Sequence, residues 1–121
     1  MKKHTDCLEA MIPVRDTLDV ISGKWKLLIL ISVSSGNYRF REIERSIPGI
    51  TSKVLAKELK DLEEHQLIER NVYPDIPVMI EYKTTIYAGS LGKVIEALRD
   101  WGLNHRRKLF GKNAGIKTFK D

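Results

Sequence analysis

The fold is decided by residues 50–84, which read ITSKVLAKELKDLEEHQLIERNVYPDIPVMIEYKT. The first half of this segment carries apolar residues at helical spacing, namely Leu55, Leu59 and Leu62. This spacing predicts an amphipathic helix over about residues 52–65, with Thr51 as its N-cap. The second half alternates with a period of two on either side of residues 74–77, so it predicts a β-hairpin with strands at 68–73 and 78–83.

Helical patterns flank this segment on both sides. On the N-terminal side they predict a short helix opened by Asp16, a buried helix over about residues 24–34 capped by Ser22, an extended stretch at residues 38–40 and a two-turn helix over residues 41–47. Gly36 is suited to the left-handed position after the buried helix. On the C-terminal side, an amphipathic helix is expected to begin near Thr85 and to run past His105.

The order of these elements predicts a winged helix-turn-helix. A tight turn at residues 48–50 joins the two helices before the hairpin, and the hairpin follows the second of them at once. The fold class is therefore α+β and mostly α, with a two-stranded β-hairpin as the wing.

Length and composition limit the class of protein. The chain has 121 residues, 42% hydrophobic and 31% charged, so we expect one globular domain over residues 1–121, with a core over about 7–105 and a basic tail over about 106–121. Its longest apolar run, residues 27–31, is too short to span a membrane. The single cysteine, Cys7, and the absence of an export signal indicate a cytoplasmic protein.

No sequence motif indicates catalysis. The chain contains no glycine-rich phosphate loop, nucleophile elbow or metallohydrolase pattern. His4 and Cys7, three residues apart, supply only half of a zinc site. We therefore expect no enzyme activity, no cofactor and no metal.

The position of the charge is more informative than its sum. The net charge of +5 comes from the C-terminal tail, because residues 1–100 contain 15 basic and 15 acidic groups. Within this neutral body, residues 36–60 contain six basic and three acidic groups. Three of the six, Lys53, Lys57 and Lys60, share the helix face away from the leucines. We call these three residues the lysine face.

The lysine face runs against the helix macrodipole. Bases occupy the first two-thirds of the helix and acids its end, whereas the macrodipole favours the reverse by about 0.3–1 kcal/mol per charge. A locally unfavourable choice suggests that a partner determines it, and duplex DNA is such a partner, since helix-turn-helix proteins place the start of their second helix in the major groove. The predicted DNA contacts are Arg39, Arg41, Arg45, Thr51, Ser52, Lys53, Ala56, Lys57, Lys60, Arg70 and Lys83.

Several short motifs in this order resemble the HxlR-type family of bacterial transcriptional regulators, which are relatives of the MarR group. They are GKWKLLIL (23–30), YRFREI (38–43), IPGIT (47–51), LAKEL (55–59), LI (67–68), VYP (72–74), EY (81–82) and WG (101–102). The resemblance implies a homodimer that binds operator DNA. The wing departs from the family pattern, which often has a basic residue where this chain has Met79.

A dimer is also expected from the last helix, which carries more apolar residues than a winged core can cover. The predicted dimer contacts are Leu18, Ile21, Leu91, Val94, Ile95, Leu98 and Trp101. Two copies related by a twofold axis would read a palindromic operator.

The sequence is compatible with two modes of control. The resemblance implies that some family members sense oxidants through a cysteine near the N-terminus, where this chain has Cys7. A small-molecule effector is the other mode, in a pocket at the dimer contact lined by Trp101 and Tyr87.

Less specific explanations exist for the same residues. A stripe of three lysines is common on solvated helices. Cys7 has the acids Asp6 and Glu9 beside it as well as Lys2, Lys3 and His4, and its alternative role is that of a small apolar residue that packs the N-terminus. The alternative function is a winged helix used for protein–protein contacts, without affinity for DNA.

Overall fold

The structure is a computed structural model, and it describes residues 4–111. Eight elements follow one another along the chain: α1 (His4–Ile21), α2 (Lys26–Ser34), α3 (Phe40–Ser46), α4 (Ser52–Glu64), β1 (Ile68–Tyr73), β2 (Met79–Thr84), α5 (Ile86–Gly89) and α6 (Gly92–Phe110). In the described residues, no helix has the length and apolar character needed to cross a membrane. The predicted mostly helical fold with a two-stranded hairpin is confirmed.

The core lies where α2, α3 and α4 meet the base of the hairpin. Its fully buried side chains come from all of these elements: Ile29, Val33, Ile43, Leu55, Leu59, Leu62, Leu67 and Ile68. The predicted inward positions of α4 are thus confirmed. The prediction that α2 is buried holds for most of its length, but Ile31 remains 42% exposed on the outer side of the helix.

Helix α1 is longer than the sequence predicts. It begins at His4 and continues through Pro13, so Asp16 lies inside a helix and does not cap one. A proline normally ends a helix because it has no amide hydrogen to donate, which makes Asp16 resemble a start signal. Ser22 is not a cap either, since its amide still donates to the Leu18 carbonyl at 2.7 Å in the last turn of α1.

The ends of the next two helices follow local signals more closely. Gly36, at φ +110°, takes the left-handed position after α2 as predicted. The extended stretch at residues 38–40 is shorter than predicted, because Phe40 is already in α3. One backbone bond remains there, from the Tyr82 amide to the Tyr38 carbonyl at 2.7 Å, and it holds β2 against the start of α3.

The chain passes from α4 into the wing through a Schellman motif. The amide of Leu67 donates to the Leu62 carbonyl at 2.9 Å, and the amide of Gln66 donates to the Glu63 carbonyl at 3.0 Å. Gln66 occupies the left-handed region at φ +61°. β1 and β2 then pair antiparallel, with Ile68 opposite Thr84 and Tyr73 opposite Met79. The second strand therefore begins one residue later than predicted.

The predicted last helix is two helices. Thr85 does cap a helix, and its hydroxyl accepts from the Ala88 amide at 3.0 Å, but that helix ends at Gly89. The long helix α6 begins at Gly92 and runs to Phe110. Gly92 therefore stands at a helix start, where a glycine costs less than inside a helix. The basic tail beyond residue 111 lies outside the described residues.

Candidate nucleic-acid interface

The N-terminus of α4 is fixed by the cap that the sequence predicts. Thr51 has extended backbone, and its Oγ1 accepts from the Val54 amide at 3.2 Å. Before it, Gly49 takes φ +86° in the turn after α3. A Cβ at Gly49 would lie 3.9 Å from the Trp25 ring, so the residue that precedes α2 packs over this turn.

The lysine face points to solvent. Lys53, Lys57 and Lys60 are all exposed, and the small side chain of Ala56 is exposed beside them. In residues 4–111, none of the three lysines has a carboxylate within 4.0 Å. They therefore form a positively charged surface of about two helical turns, with no anionic partner in the described part of the chain.

Two carboxylates of the same helix are neutralised from another helix. Lys26 Nζ, at the start of α2, lies 2.5 Å from Glu58 Oε1 and 3.6 Å from Asp61 Oδ2. The Lys26 and Glu58 side chains are only 14% and 15% exposed. Sequence reasoning missed this cluster: the i, i+3 spacing of Glu58 and Asp61 places them on one side of α4, but their partner is distant in sequence.

A third carboxylate contacts the first residue of α4. The Ser52 hydroxyl donates to Glu44 Oε2 of α3 at 2.5 Å. The predicted phosphate contact of Ser52 must therefore share this hydroxyl with Glu44. No local pattern indicates this contact, because it depends on how α3 packs against α4.

The three arginines before α4 are exposed on and next to α3. Arg39 precedes the helix, and its amide donates to Glu42 Oε1 at 3.1 Å. Its guanidinium Nη2 lies 3.6 Å from Met79 Sδ, which brings it to the edge of the wing. Arg41 and Arg45 have no ion pair in the described residues. All three arginine side chains are exposed and so are accessible to an anionic partner.

The two basic residues of the wing lie on opposite faces of the hairpin. Arg70 pairs with Tyr82 and Lys83 with Glu69, so the two basic residues leave the hairpin from opposite faces. The Lys83 ammonium lies 5.9 Å from the centre of the Tyr38 ring. At the tip, Ile76 is fully exposed and the only charged residue is Asp75.

The predicted dimer contacts fall into two groups. Ile21 is 6% exposed within the single chain, so it offers little surface to a partner, and its place in the dimer contact stays a prediction. The others lie on exposed or half-buried helix faces: Leu18 on α1, Leu91 just before α6, and Val94, Ile95, Leu98 and Trp101 on α6. No residue of α6 is buried, and Leu98 and Trp101 are 50% and 69% exposed.

The predicted control elements are separated in the single chain. Trp101 stacks on His105 at 5.0 Å, whereas Tyr87 lines a different cleft with Val20, Leu67 and Leu91. The structure therefore does not bring Trp101 and Tyr87 into one pocket. Cys7 is half-buried on α1. Its predicted basic neighbours Lys2 and Lys3 lie outside the described residues, which contain no group of three or more potential metal ligands.

Helices α3 and α4 with their tight turn, followed by the hairpin, define a winged helix-turn-helix. A model of the HxlR-like helix-turn-helix family matches residues 20–109. The chain therefore belongs to the HxlR-like family of helix-turn-helix transcriptional regulators.

Individual relatives agree with this assignment. The chain is 40% identical over 105 residues to the uncharacterized HTH-type transcriptional regulator YtcD of Bacillus subtilis (strain 168), covering 87% of this chain and 83% of the relative. A crystal structure of an HTH-type regulator named ytcD superposes with a TM-score of 0.73 at 41% identity, covering 76% and 94% of the two chains. The redox regulator HypR in its reduced form gives a TM-score of 0.75 at 35% identity, covering 83% and 99%.

Proposed function

We propose that this chain is a sequence-specific regulator that binds double-stranded DNA as a homodimer, with α4 in the major groove. The observation that carries the proposal is the lysine face, which is exposed opposite the buried leucines and has no carboxylate within 4.0 Å in the described residues. Such a surface suits a row of phosphates, whose contacts position a helix so that neighbouring side chains can reach base edges.

Roles can be proposed for the individual residues of this surface. Lys53, Lys57 and Ala56 face the groove near the start of α4, and Ala56 is small enough to accept a thymine methyl group. Lys60 and the arginines Arg39, Arg41 and Arg45 contact phosphates on either side. Thr51 and Ser52 lie at the start of α4, where the helix would meet the DNA backbone. Arg70 and Lys83 are alternative phosphate contacts at the wing, because their side chains leave it from opposite faces.

Exposed apolar helix faces support the homodimer. Leu8, Met11 and Leu18 of α1 are each about half exposed, as are Leu98 and Leu109 of α6. Large apolar side chains in continuous faces usually mark an interface. A twofold axis would then place two α4 helices about 34–36 Å apart, one turn of DNA, and the operator would be a palindrome.

A salt titration tests DNA binding. If each protomer neutralises about four phosphates, log K against log salt falls with a slope near −7 for the dimer. The probe is DNA selected from fragments of the source genome, with a duplex of scrambled sequence as the control. A flat titration on every duplex would favour the alternative, a winged helix used only for protein contacts, to which the apolar wing tip around Ile76 would be suited.

Oxidation of Cys7 is the proposed mode of control. The similarity to HypR, a redox regulator, and the half-buried position of Cys7 on α1 support this. Since α1 is proposed to contact the partner, a disulfide or sulfenic acid at Cys7 would alter the dimer. DNA affinity should change on oxidant treatment of the natural chain but not of Cys7→Ser. An equal response of both proteins would leave a small-molecule effector as the mode of control.

The remaining expectations are part of the same proposal. The regulator acts in the cytoplasm, where its DNA is and where a lone thiol stays reduced. It functions as one domain over residues 1–121, without catalytic activity.

A further inference from the structure

Helix α4 carries more acid than base. It contains the three residues of the lysine face and four carboxylates, Glu58, Asp61, Glu63 and Glu64. A helix with this composition would not by itself attract a polyanion. Whether α4 can bind DNA therefore depends on where its acids lie and on which residues neutralise them.

Glu63 and Glu64 follow the lysine face at the C-terminal end of α4, whereas Glu58 and Asp61 lie alongside it. At 3.6 residues per turn, Glu58 lies about 100° around the helix from Lys57 and Asp61 about 100° from Lys60, so both acids lie between the lysine face and the buried leucines. An α-helix with its side chains is only about 10–12 Å wide, and the Debye length at physiological salt is about 8 Å. Their charge therefore reaches the surface on which phosphates would lie.

Lys26 is the cation that meets these two acids. It contacts both, at 2.5 Å and 3.6 Å, and the Lys26–Glu58 pair is more than four-fifths buried. Low exposure weakens the screening of this pair by water and salt. Lys26 belongs to α2 and is turned away from solvent, so it is not placed to contact a phosphate itself.

We propose that Lys26 is a counter-ion for the DNA-binding surface: by neutralising Glu58 and Asp61 from behind, it allows α4 to attract phosphate. This inference rests on the proposed function. Lys26 would not contact the DNA. It would raise DNA affinity only by neutralising Glu58 and Asp61.

Two substitutions that break the same ion pair separate this role from simple stabilisation. Lys26→Met keeps the aliphatic stem but leaves Glu58 and Asp61 uncompensated, and it should weaken DNA binding roughly three- to tenfold at low salt, with a smaller effect as salt rises. Glu58→Gln removes one of the acids, and it should leave affinity unchanged or increase it. Only Lys26→Met is therefore expected to weaken DNA binding, although both variants lose the pair.

Additional variants complete the experiment. The double variant Lys26→Met with Glu58→Gln should recover most of the lost affinity, and Lys26→Arg should bind as the natural chain does. Lys93→Met, which removes a charge from the polar side of α6, controls for net charge. Thermal unfolding of each variant establishes that the chains compared are folded.

The outcomes are distinct. Equal losses in Lys26→Met and Glu58→Gln would overturn the proposal, because the pair would then act only by holding α2 and α4 together. An unchanged affinity in Lys26→Met would also overturn it. If the natural chain itself shows no salt-dependent binding to any duplex, the proposed function fails, and this result is seen before any variant is compared.

Discussion

Two kinds of lysine contribute to the surface of α4: the exposed lysine face on the helix itself, and Lys26 of α2, which pairs with two of its acids. Only the first kind can be recognised from the sequence. The lysine face follows from spacing, since residues 53, 57 and 60 must share one side of a helix whose other side is leucine. The role of Lys26 depends on which helix packs beside α4, and no local pattern encodes that neighbour. The same holds for the bond between Ser52 and Glu44. The exposed positive charge of α4 could therefore be predicted, whereas the neutralisation of its acids Glu58 and Asp61 by Lys26 could not.

Lys60 provides the test of phosphate contact at the scale of one residue. Lys60→Ala should weaken binding to all duplexes by a similar factor and reduce the salt slope by about one per protomer, because a phosphate contact carries no sequence information. The measurement is a set of titrations at several salt concentrations on the operator and on scrambled DNA. Lys93→Ala serves as the matched control. A loss confined to one operator position would mean that Lys60 reads a base.

At the scale of elements, the predictions succeed where local signals and packing agree. Thr51, the leucines of α4 and the alternation in the hairpin all indicate the same structure, and all are found. The predictions fail for α1, where the helix continues past Pro13, and between α5 and α6, where the helical pattern hides a break before Gly92. In both cases the apolar pattern is compatible with either arrangement, so it does not decide between them.

The junction between α4 and β1 offers a stability prediction. Gln66 holds φ +61°, a region that costs a residue with a side chain more than it costs glycine. Gln66→Gly should therefore raise the free energy of unfolding by about 0.5–1 kcal/mol, while Gln66→Val should lower it, since a branched side chain tolerates this region least. Urea denaturation of the two variants measures both changes. A lower stability in Gln66→Gly would mean that the added freedom of the unfolded chain outweighs the relieved strain.

At the scale of the whole molecule, α6 is a helix whose apolar side chains the single chain does not bury. The core is closed by α2, α3, α4 and the base of the hairpin, and none of its buried residues comes from α6. The sequence alone predicts that the last helix has more apolar residues than the core can cover. Ile21 of α1 is buried within the single chain whereas Leu18 of the same helix is exposed, because α1 has apolar residues facing both the core and the solvent.

Leu98 connects assembly to DNA binding. It is 50% exposed, so Leu98→Glu should leave the monomer folded while placing a charge in the proposed dimer contact. The expected result is a monomer in sedimentation equilibrium, together with a salt slope that falls from about −7 to about −4, since only one set of phosphates is then neutralised. Lys93→Glu, on the opposite side of α6, should leave the sedimentation mass that of a dimer. A dimer that survives Leu98→Glu would place the contact on α1, and the exposed side chain of Leu18 would then be the next position to charge.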